Sequence, residues 1–189
     1  MIIGKKIYHY KSVTSTNTFA CRLAQRGKPE GTVLIAEYQS QGMATAGKTW
    51  ISPKGKSILL SIILRPRVLP DEVSKITRHA AIAVGRAINI TTGLQPQFKW
   101  PNDLMLKRRK ICGILTQMVT KSEQIEFVIV GIGINVNTEI KSLVNGSTSL
   151  KIELGKSVNR QRLIKTILKE LDKEYHQFKK ALTLQNETS

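Results

Sequence analysis

Cysteine is scarce in this sequence, because its 189 residues include only Cys21 and Cys112. Two cysteines cannot form a disulfide framework, and their spacing is not that of metal ligands. We expect both to be small core residues rather than nucleophiles. Their scarcity argues against a disulfide-rich secreted scaffold and favours a reducing cytoplasm.

Long hydrophobic runs are also missing. Charged residues such as Arg65 and Lys75 interrupt every apolar stretch, so no segment is long enough to span a membrane. The first six residues, Met-Ile-Ile-Gly-Lys-Lys, lack the apolar core of a secretory signal. The length of 189 residues predicts a single domain, residues 1–189. The missing signal and the scarcity of cysteine together predict a cytoplasmic location.

Acidic residues are few: 13 Asp and Glu stand against 30 Lys and Arg, which gives a formal net charge of +17. Such an excess attracts polyanions, acidic proteins and anionic membranes. The basic residues are spread along the chain, however, and no zinc-finger, RRM or KH signature is present. Specific DNA binding is therefore not expected, and an acidic protein partner and a nucleotide fit the charge better.

Hydrophobic periodicity predicts three helices in this chain. Thr14 or Ser15 can cap the first, which continues to about Gln25. The second runs from about 72 to 90 and the third from 158 to 182, each with an apolar face. Apolar, β-branched segments at 32–38, 57–64, 111–120 and 125–134 are predicted strands, and residues 138–156 are expected to be irregular. This order predicts an α+β fold with a mixed, mainly antiparallel sheet flanked by helices.

The most informative stretch covers residues 99–115. Pro101 has no N–H for a strand ladder and favours an extended Trp100, so a first strand must end there. A short apolar run, a basic tip at 107–110 and a second apolar run then predict a β-hairpin with Asp103 at one end and Lys110 at the other. A carboxylate that can hold a metal ion and a lysine that can meet developing negative charge suit phosphate or acyl-phosphate chemistry. A turn with solvated charges also explains such a pair.

Residues 42–49 match the P-loop pattern Gly-x-x-x-x-Gly-Lys-Thr. A P-loop holds phosphate because its glycine loop opens directly into a helix. Pro53 and Gly55 follow closely and oppose a helix. We therefore expect a chance match, and a P-loop ATPase is kept as an alternative that a helix after Thr49 would support.

Five blocks in order resemble the catalytic domain of biotin protein ligases. The blocks are Ser15–Asn17, Glu37–Gln39, the glycine loop Gly42–Trp50 with Ser52–Gly55, Lys99–Leu115, and Gly131–Asn137. The resemblance implies the fold shared with class II aminoacyl-tRNA synthetases. It also implies a reaction in which biotin and Mg-ATP give biotinyl-5'-AMP, and a lysine of a biotin carboxyl carrier protein then accepts biotin. The implied cofactors are ATP and Mg²⁺, and family members often form homodimers through the sheet.

The family motifs imply a role for each matching residue. Lys110 and Asp103 are the implied catalytic residues, and Asp103 is also the candidate Mg²⁺ ligand. The implied biotin-binding residues are Ser15, Thr16, Asn17, Gln39, Gly42, Lys110, Gly113 and Gly131. The implied nucleotide-binding residues are Thr45, Lys48, Trp50, Lys99, Asn102 and Asn135.

The chain departs from the family pattern in the glycine loop. Met43, Ala44 and Thr45 stand where the family usually has arginine, glycine and arginine in a mobile loop that closes over the adenylate. Losing two forked, permanently charged donors predicts poorer retention of the acyl-adenylate. An impaired or non-catalytic paralogue that binds biotin or nucleotide therefore remains an alternative.

Two further expectations follow from the resemblance. A lipoate ligase shares the fold, but its arginine- and glycine-rich signature is not matched here.

The catalytic blocks begin close to Met1 and the chain ends soon after the last predicted helix. We therefore expect neither the N-terminal helix-turn-helix domain nor the small C-terminal β-barrel domain of longer family members.

Overall fold

A seven-stranded mixed sheet forms the centre of the protein. The structure is a computed structural model that describes the backbone of residues 1–187 and the side chains through residue 183. The strands are β1 (Ile7–Tyr10), β2 (Val33–Ala36), β3 (Ser57–Leu64), β4 (Gln97–Lys99), β5 (Asp103–Leu106), β6 (Arg109–Lys121) and β7 (Gln124–Asn135). They lie in the order β1-β2-β3-β7-β6-β5-β4. Within the described residues only β1 and β2 are parallel neighbours, so the expected mixed, mainly antiparallel sheet is confirmed.

Four helices accompany the sheet. They are α1 (Thr16–Gln25), α2 (Val73–Thr92), α3 (Leu150–Leu154) and α4 (Arg160–Glu187). Short 3₁₀ turns occur at Thr45–Gly47, Pro70–Glu72 and Ile140–Ser142. None of the helices in the described part of the chain is long and apolar enough to cross a membrane.

The structure confirms the three predicted helices and adds one. Helix α3 lies in the segment 138–156 that was expected to be irregular. Five residues are too few to show a helical hydrophobic period, so the sequence pattern gave no sign of it. Its beginning is capped by Ser149, whose Oγ accepts from the Ile152 N–H at 3.3 Å.

Strand alternation divides the sheet into two different faces. One face packs under α2 and α4 as the main core; from β3 it receives Ile58, Leu60, Ile62 and Leu64. The other face packs partly under α1, where Ile63, Phe127 and Ile129 form a smaller cluster with two alanines of the helix. Because successive side chains of a strand point to opposite faces, the remaining positions on the α1 face are open to polar residues and glycines. The functional site is built there.

Candidate active site

A cleft opens on the α1 face of the sheet, next to the point where α1 begins. It contains about 430 Å³ of empty volume, part of which is open to solvent. The lining residues are Ser15, Thr16, Asn17, Gln39, Met43, Ala44, Thr45, Trp50, Asn102, Lys110, Gly113, Ile114, Leu115, Gly131, Ile132 and Gly133. Each of the five sequence blocks contributes to this list, so segments far apart in sequence meet at one place.

Glycines on β6 and β7 form the floor of the cleft. Gly113 lies opposite Gly133 in the strand ladder. A Cβ atom at Gly131 would lie 2.0 Å from Asn17 Oδ1, and one at Gly133 would lie 2.6 Å from Trp50 Cε2. Neither spacing is physically possible without movement, so the missing side chains are what admit Asn17 and Trp50 to the sheet surface.

Buried hydrogen bonds fix the start of α1 against the sheet. Ser61 Oγ on β3 hydrogen-bonds Thr16 Oγ1 at 2.8 Å and Asn17 Oδ1 at 2.6 Å. Thr16 donates from its amide (2.7 Å) and from its hydroxyl (2.9 Å) to Gln39 Oε1. Asn17 Nδ2 donates to Gln117 Oε1 at 2.9 Å. Because Thr16, Asn17 and Ser61 are nearly fully buried, the network holds the helix N-terminus in one position relative to the glycine floor.

Ser15 occupies the predicted cap position without acting as a hydrogen-bonding cap. It is the N-cap residue of α1, yet its side chain accepts no hydrogen bond from the first turn. Gln39 satisfies the Thr16 N–H instead. Ser15 is 3% exposed and lines the cleft, so its hydroxyl is available to a bound molecule.

A β-bulge turns Lys110 into the cleft. The register between β5 and β6 shifts and leaves Ile111 as an extra residue. Ile111 and Cys112 both lie in the main core, although strict alternation would place them on opposite faces. The shift puts Lys110 on the same face as Gly113, where a Cβ would lie 3.2 Å from Lys110 Nζ. Bulges near functional sites commonly re-aim a side chain in this way.

The two ends of the predicted hairpin meet in the folded protein. Lys110 Nζ lies 2.6 Å from Asp103 Oδ1, and these side chains are 28% and 18% exposed. The ring of Trp50 lies on another side of the ammonium, with its centroid 5.8 Å from Nζ. Trp50 Nε1 is buried and has no hydrogen-bond partner among the described residues. A cation with one counter-charge and an indole donor with no acceptor are both suited to an anionic ligand.

The glycine loop folds as a small hairpin, so the P-loop alternative is wrong. Met43 forms an antiparallel bridge with Thr49, and Trp50 N donates to Gly42 O at 2.8 Å. The loop contains a 3₁₀ turn at Thr45–Gly47, and the residues between Thr49 and β3 form no helix. Without a following helix there is no helix N-terminus to hold phosphate.

Some predicted site residues lie outside the cleft lining. Lys48 and Lys99 are exposed, and neither lines the cleft. Asn135 lies at the end of β7 and is 5% exposed. Gly42 is buried, and a Cβ atom there would lie 2.3 Å from Trp50 O. Its missing side chain therefore shapes the loop.

Two predicted nucleotide-binding residues do line the cleft. Thr45 reaches it from the exposed loop. Asn102 lies at its edge, where Nδ2 donates to Ile114 O at 3.2 Å.

Sequence reasoning missed two residues that support the site, Ser61 and Gln117. Ser61 lies opposite Gly131 in the β3–β7 ladder and joins α1 to the sheet. The available signal was a serine inside an otherwise apolar strand. Gln117 lies on β6 and binds Asn17, a contact between residues 100 positions apart that no local pattern predicts.

No metal cluster is present among the described side chains, where no group of three or more His, Cys, Asp or Glu residues could hold an ion. Mg²⁺ usually binds through one or two carboxylates together with substrate phosphates. The single carboxylate of Asp103 at the cleft fits a Mg²⁺ ion that arrives with a nucleotide. Its role as a ligand stays a prediction. Cys112 is fully buried, and burial raises the pKa of its thiol, which agrees with a core residue rather than a nucleophile.

A model of the biotin/lipoate A/B protein ligase family matches residues 10–135. The chain belongs to this family. It is 34% identical over 181 residues to the bifunctional ligase/repressor BirA of Bacillus spizizenii. The aligned region covers 94% of this chain and 56% of that protein. It is 30% identical over 173 residues to the biotin–[acetyl-CoA-carboxylase] ligase of Mycobacterium tuberculosis, with 88% of this chain and 63% of that protein covered.

A solved structure of a biotin protein ligase has a similar fold. The biotin protein ligase from Aquifex aeolicus, in complex with biotin and ATP, matches with a TM-score of 0.78 at 28% identity. The match covers 93% of this chain and 72% of that chain. The fold is therefore that of a biotin protein ligase catalytic domain, of the class II aminoacyl-tRNA synthetase type. The chain spans just over half the length of the Bacillus relative.

Proposed function

We propose that this protein is a biotin protein ligase, which joins biotin to ATP as biotinyl-5'-AMP and transfers biotin to a lysine of a biotin carboxyl carrier protein. The observation that carries the proposal is the position of Lys110. The bulge places its ammonium over the glycine floor, beside Asp103 and Trp50, at the centre of a cleft that contains all five family blocks.

The proposed first step brings two anions together. A carboxylate oxygen of biotin attacks the α-phosphorus of ATP, the new O–P bond forms, and the bond to pyrophosphate breaks. The ammonium of Lys110 would contact both the carboxylate and the α-phosphate, which lowers their repulsion and stabilises the developing charge. The tryptophan ring and glycine floor cover part of the Lys110 side chain, so its charge acts in a less polar surrounding than a fully solvated lysine.

The second step requires an uncharged amine. The acceptor lysine attacks the carbonyl of the mixed anhydride, an amide bond forms, AMP leaves, and the amine proton passes to solvent or to a base. Asp103 is the carboxylate positioned to orient this amine or to hold Mg²⁺ on the nucleotide. Its ion pair with Lys110 keeps both groups in place before substrates bind.

The remaining cleft residues divide into two proposed sets. Ser15, Thr16 and Gln39 present hydroxyl and amide groups to the polar head of biotin, with Gly113 and Gly131 in the floor of the cleft, where Gly131 makes room for Asn17. Trp50 provides a flat ring and a free indole N–H for the nucleotide, with Asn102 at the edge. We assign the exposed Lys48 and Lys99 to phosphate attraction at the mouth, since neither reaches the cleft in this conformation.

The partner proposal rests on charge. A net charge of +17 favours an acidic carrier domain and raises the rate at which it meets the cleft. A homodimer, which follows from the family resemblance, and a cytoplasmic location, which follows from the scarcity of cysteine, belong to the same proposal.

A pyrophosphate-release assay with Mg-ATP and three conditions tests the function: biotin, lipoate, or neither acid. Release that depends on biotin, with biotinyl-5'-AMP detected by mass spectrometry, is the expected result. Release that depends on lipoate would assign the other branch of the family. Tight biotin binding with no release under any condition would contradict the enzyme proposal and leave a binding protein.

A further inference from the structure

The backbone of Lys110 is fastened to the segment that precedes α3. Lys110 N donates to Gly146 O at 2.9 Å, and Thr148 N donates to Lys110 O at 2.8 Å. Together these bonds form a parallel bridge between Lys110 and Ser147. Both backbone polar groups of Lys110 therefore depend on the position of residues 146–148.

The carboxylate of Glu153, on α3, joins both sides of this junction. Its Oε1 accepts from Arg109 Nη2 at 2.5 Å and from Thr148 Oγ1 at 2.6 Å. Lys107 Nζ lies 3.3 Å from Oε2, and the Glu153 side chain is 1% exposed. One buried carboxylate thus ties the residue that precedes Lys110 to the residue whose amide binds the carbonyl of Lys110.

The backbone of the hairpin tip is unfavourable for the residues that it carries. Lys107 and Arg108 have φ values of 46° and 64°, in the left-handed region that glycine and asparagine prefer. Side-chain-bearing residues are strained at these angles. The ion pairs of Lys107 and Arg109 with Glu153 offset that strain and hold the tip against α3.

The carboxylate of Glu153 is kept ionised by its partners. Burial acts to raise its pKa, but the hydrogen bond from Thr148 and the nearby positive charges of Lys107 and Arg109 outweigh burial and lower it. A buried carboxylate with these three partners is a fixed negative charge at neutral pH, and Thr148, which is itself buried, depends on it as the acceptor for its hydroxyl.

We propose that Glu153 is a positioning residue that sets where Lys110 stands in the cleft. The inference rests on the proposed function, since it gives Glu153 its effect through the reaction of Lys110. Glu153 does not line the cleft, and the start of α1 is held by separate hydrogen bonds from Ser61 and Gln39. Loss of the carboxylate should therefore reduce the rate of adenylation while biotin still binds.

The test compares Glu153→Gln with Glu139→Gln. Glu139 is a matched control, because its Oε1 lies 3.3 Å from Nζ of Lys151, which is on the same helix as Glu153. Unlike the Glu153 side chain, that of Glu139 is 51% exposed. For Glu153→Gln we expect kcat for adenylate formation to fall about 10- to 100-fold, the range for a small misplacement of a catalytic group. KM for biotin should stay within about 2-fold, a difference of no more than about 0.4 kcal/mol. Hydrogen exchange of the Lys110 and Thr148 amides should become faster, and the control should match wild type in all three measurements.

Different outcomes separate this inference from the proposed function. Unchanged kcat and unchanged amide protection in Glu153→Gln would overturn the positioning role. A parallel loss of kcat and biotin affinity would also overturn it, whatever the melting temperature, because that pattern belongs to a purely structural residue. If Glu153→Gln does not fold, Thr148→Val removes only one of the hydrogen bonds and should shift kcat and amide exchange in the same direction by less. If wild type forms no adenylate, the proposed function fails and amide exchange alone decides whether Glu153 holds Lys110.

Discussion

The two walls of the cleft are built in opposite ways. On one wall, Lys110 is held by both of its backbone groups, by an ion pair with Asp103 and by a junction that Glu153 secures. On the other wall, the loop 42–50 carries Met43, 43% exposed, and Thr45, also exposed, at the positions where the family has arginines. The position of Lys110, the group proposed to perform the chemistry, is thus fixed by the sheet and its hydrogen bonds. Retention of the intermediate is proposed to depend on side chains of the loop 42–50, which can change without altering the fold.

The largest expected effect on activity comes from the wall that carries Lys110, called the rigid wall below. Lys110→Ala should reduce adenylate formation by about 10²- to 10³-fold, because it removes the ammonium that lies over the glycine floor. Lys141→Ala, an exposed lysine on a 3₁₀ turn, is the control and should behave as wild type. Rates come from biotin-dependent pyrophosphate release under saturating ATP. A Lys110→Ala protein that reacts at half the wild-type rate would remove Lys110 from the mechanism.

The glycine floor gives the next effect. A Cβ at Gly131 would overlap Asn17 Oδ1, so Gly131→Ala should break the network at the start of α1. We expect a loss of about 1–3 kcal/mol in the free energy of unfolding, typical of overpacking, and weaker biotin binding. Gly85→Ala on α2 serves as the control, since its Cβ would meet only the Phe98 ring, at 3.1 Å. Denaturant unfolding and calorimetric titration with biotin measure both effects, and unchanged binding in Gly131→Ala would show that Asn17 does not shape the biotin site.

The loop gives a smaller and separate effect. Replacing Met43, Ala44 and Thr45 by Arg, Gly and Arg restores two charged donors at the cleft. Escape of the adenylate should slow about 10-fold, equivalent to about 1.4 kcal/mol of added binding, while its rate of formation changes little. A variant with glutamines at 43 and 45 controls for side-chain length without charge. Equal escape from both variants would show that charge is not what the loop lacks.

The smallest effect is the response of the rigid wall to acid. Because its partners lower the pKa of Glu153, the folded value lies below the unfolded value of about 4.3. The carboxylate therefore adds stability above that pH, and the contribution is lost as pH falls through the folded pKa. Wild type should melt at a higher temperature than Glu153→Gln at pH 6, and the difference should shrink below about pH 4. A constant difference across this range would show that the charge of Glu153 does not stabilise the fold.

The hairpin was readable from sequence for local reasons. Pro101 ends one strand, and the apolar runs on either side of the basic tip predict the next two, as β5 and β6 show. The bulge was not readable, because one extra residue is defined by its partner strand and not by its own pattern. A regular strand would have put Lys110 and Gly113 on opposite faces. The role of Lys110 was therefore implied by the family motif, and its position in the cleft was found only in the structure.

Long-range polar contacts were the other part that sequence could not supply. Glu153 lies in a helix of five residues and binds Arg109 from 44 positions away. Ser61 and Gln117 bind the start of α1 from other strands. Each looks like an ordinary polar residue until strand pairing brings it to the site. Propensity and periodicity describe one element at a time and do not report such pairs.

A single-turnover experiment with biotin and Mg-ATP tests the division between the two walls most directly, because it follows formation of biotinyl-5'-AMP and its release into solution as separate rates. We expect Lys110→Ala to lose formation of the adenylate, and the loop with Arg, Gly and Arg at 43–45 to slow its release with formation unchanged. If the changed loop instead raises formation as much as it slows release, the two walls do not specify chemistry and retention separately.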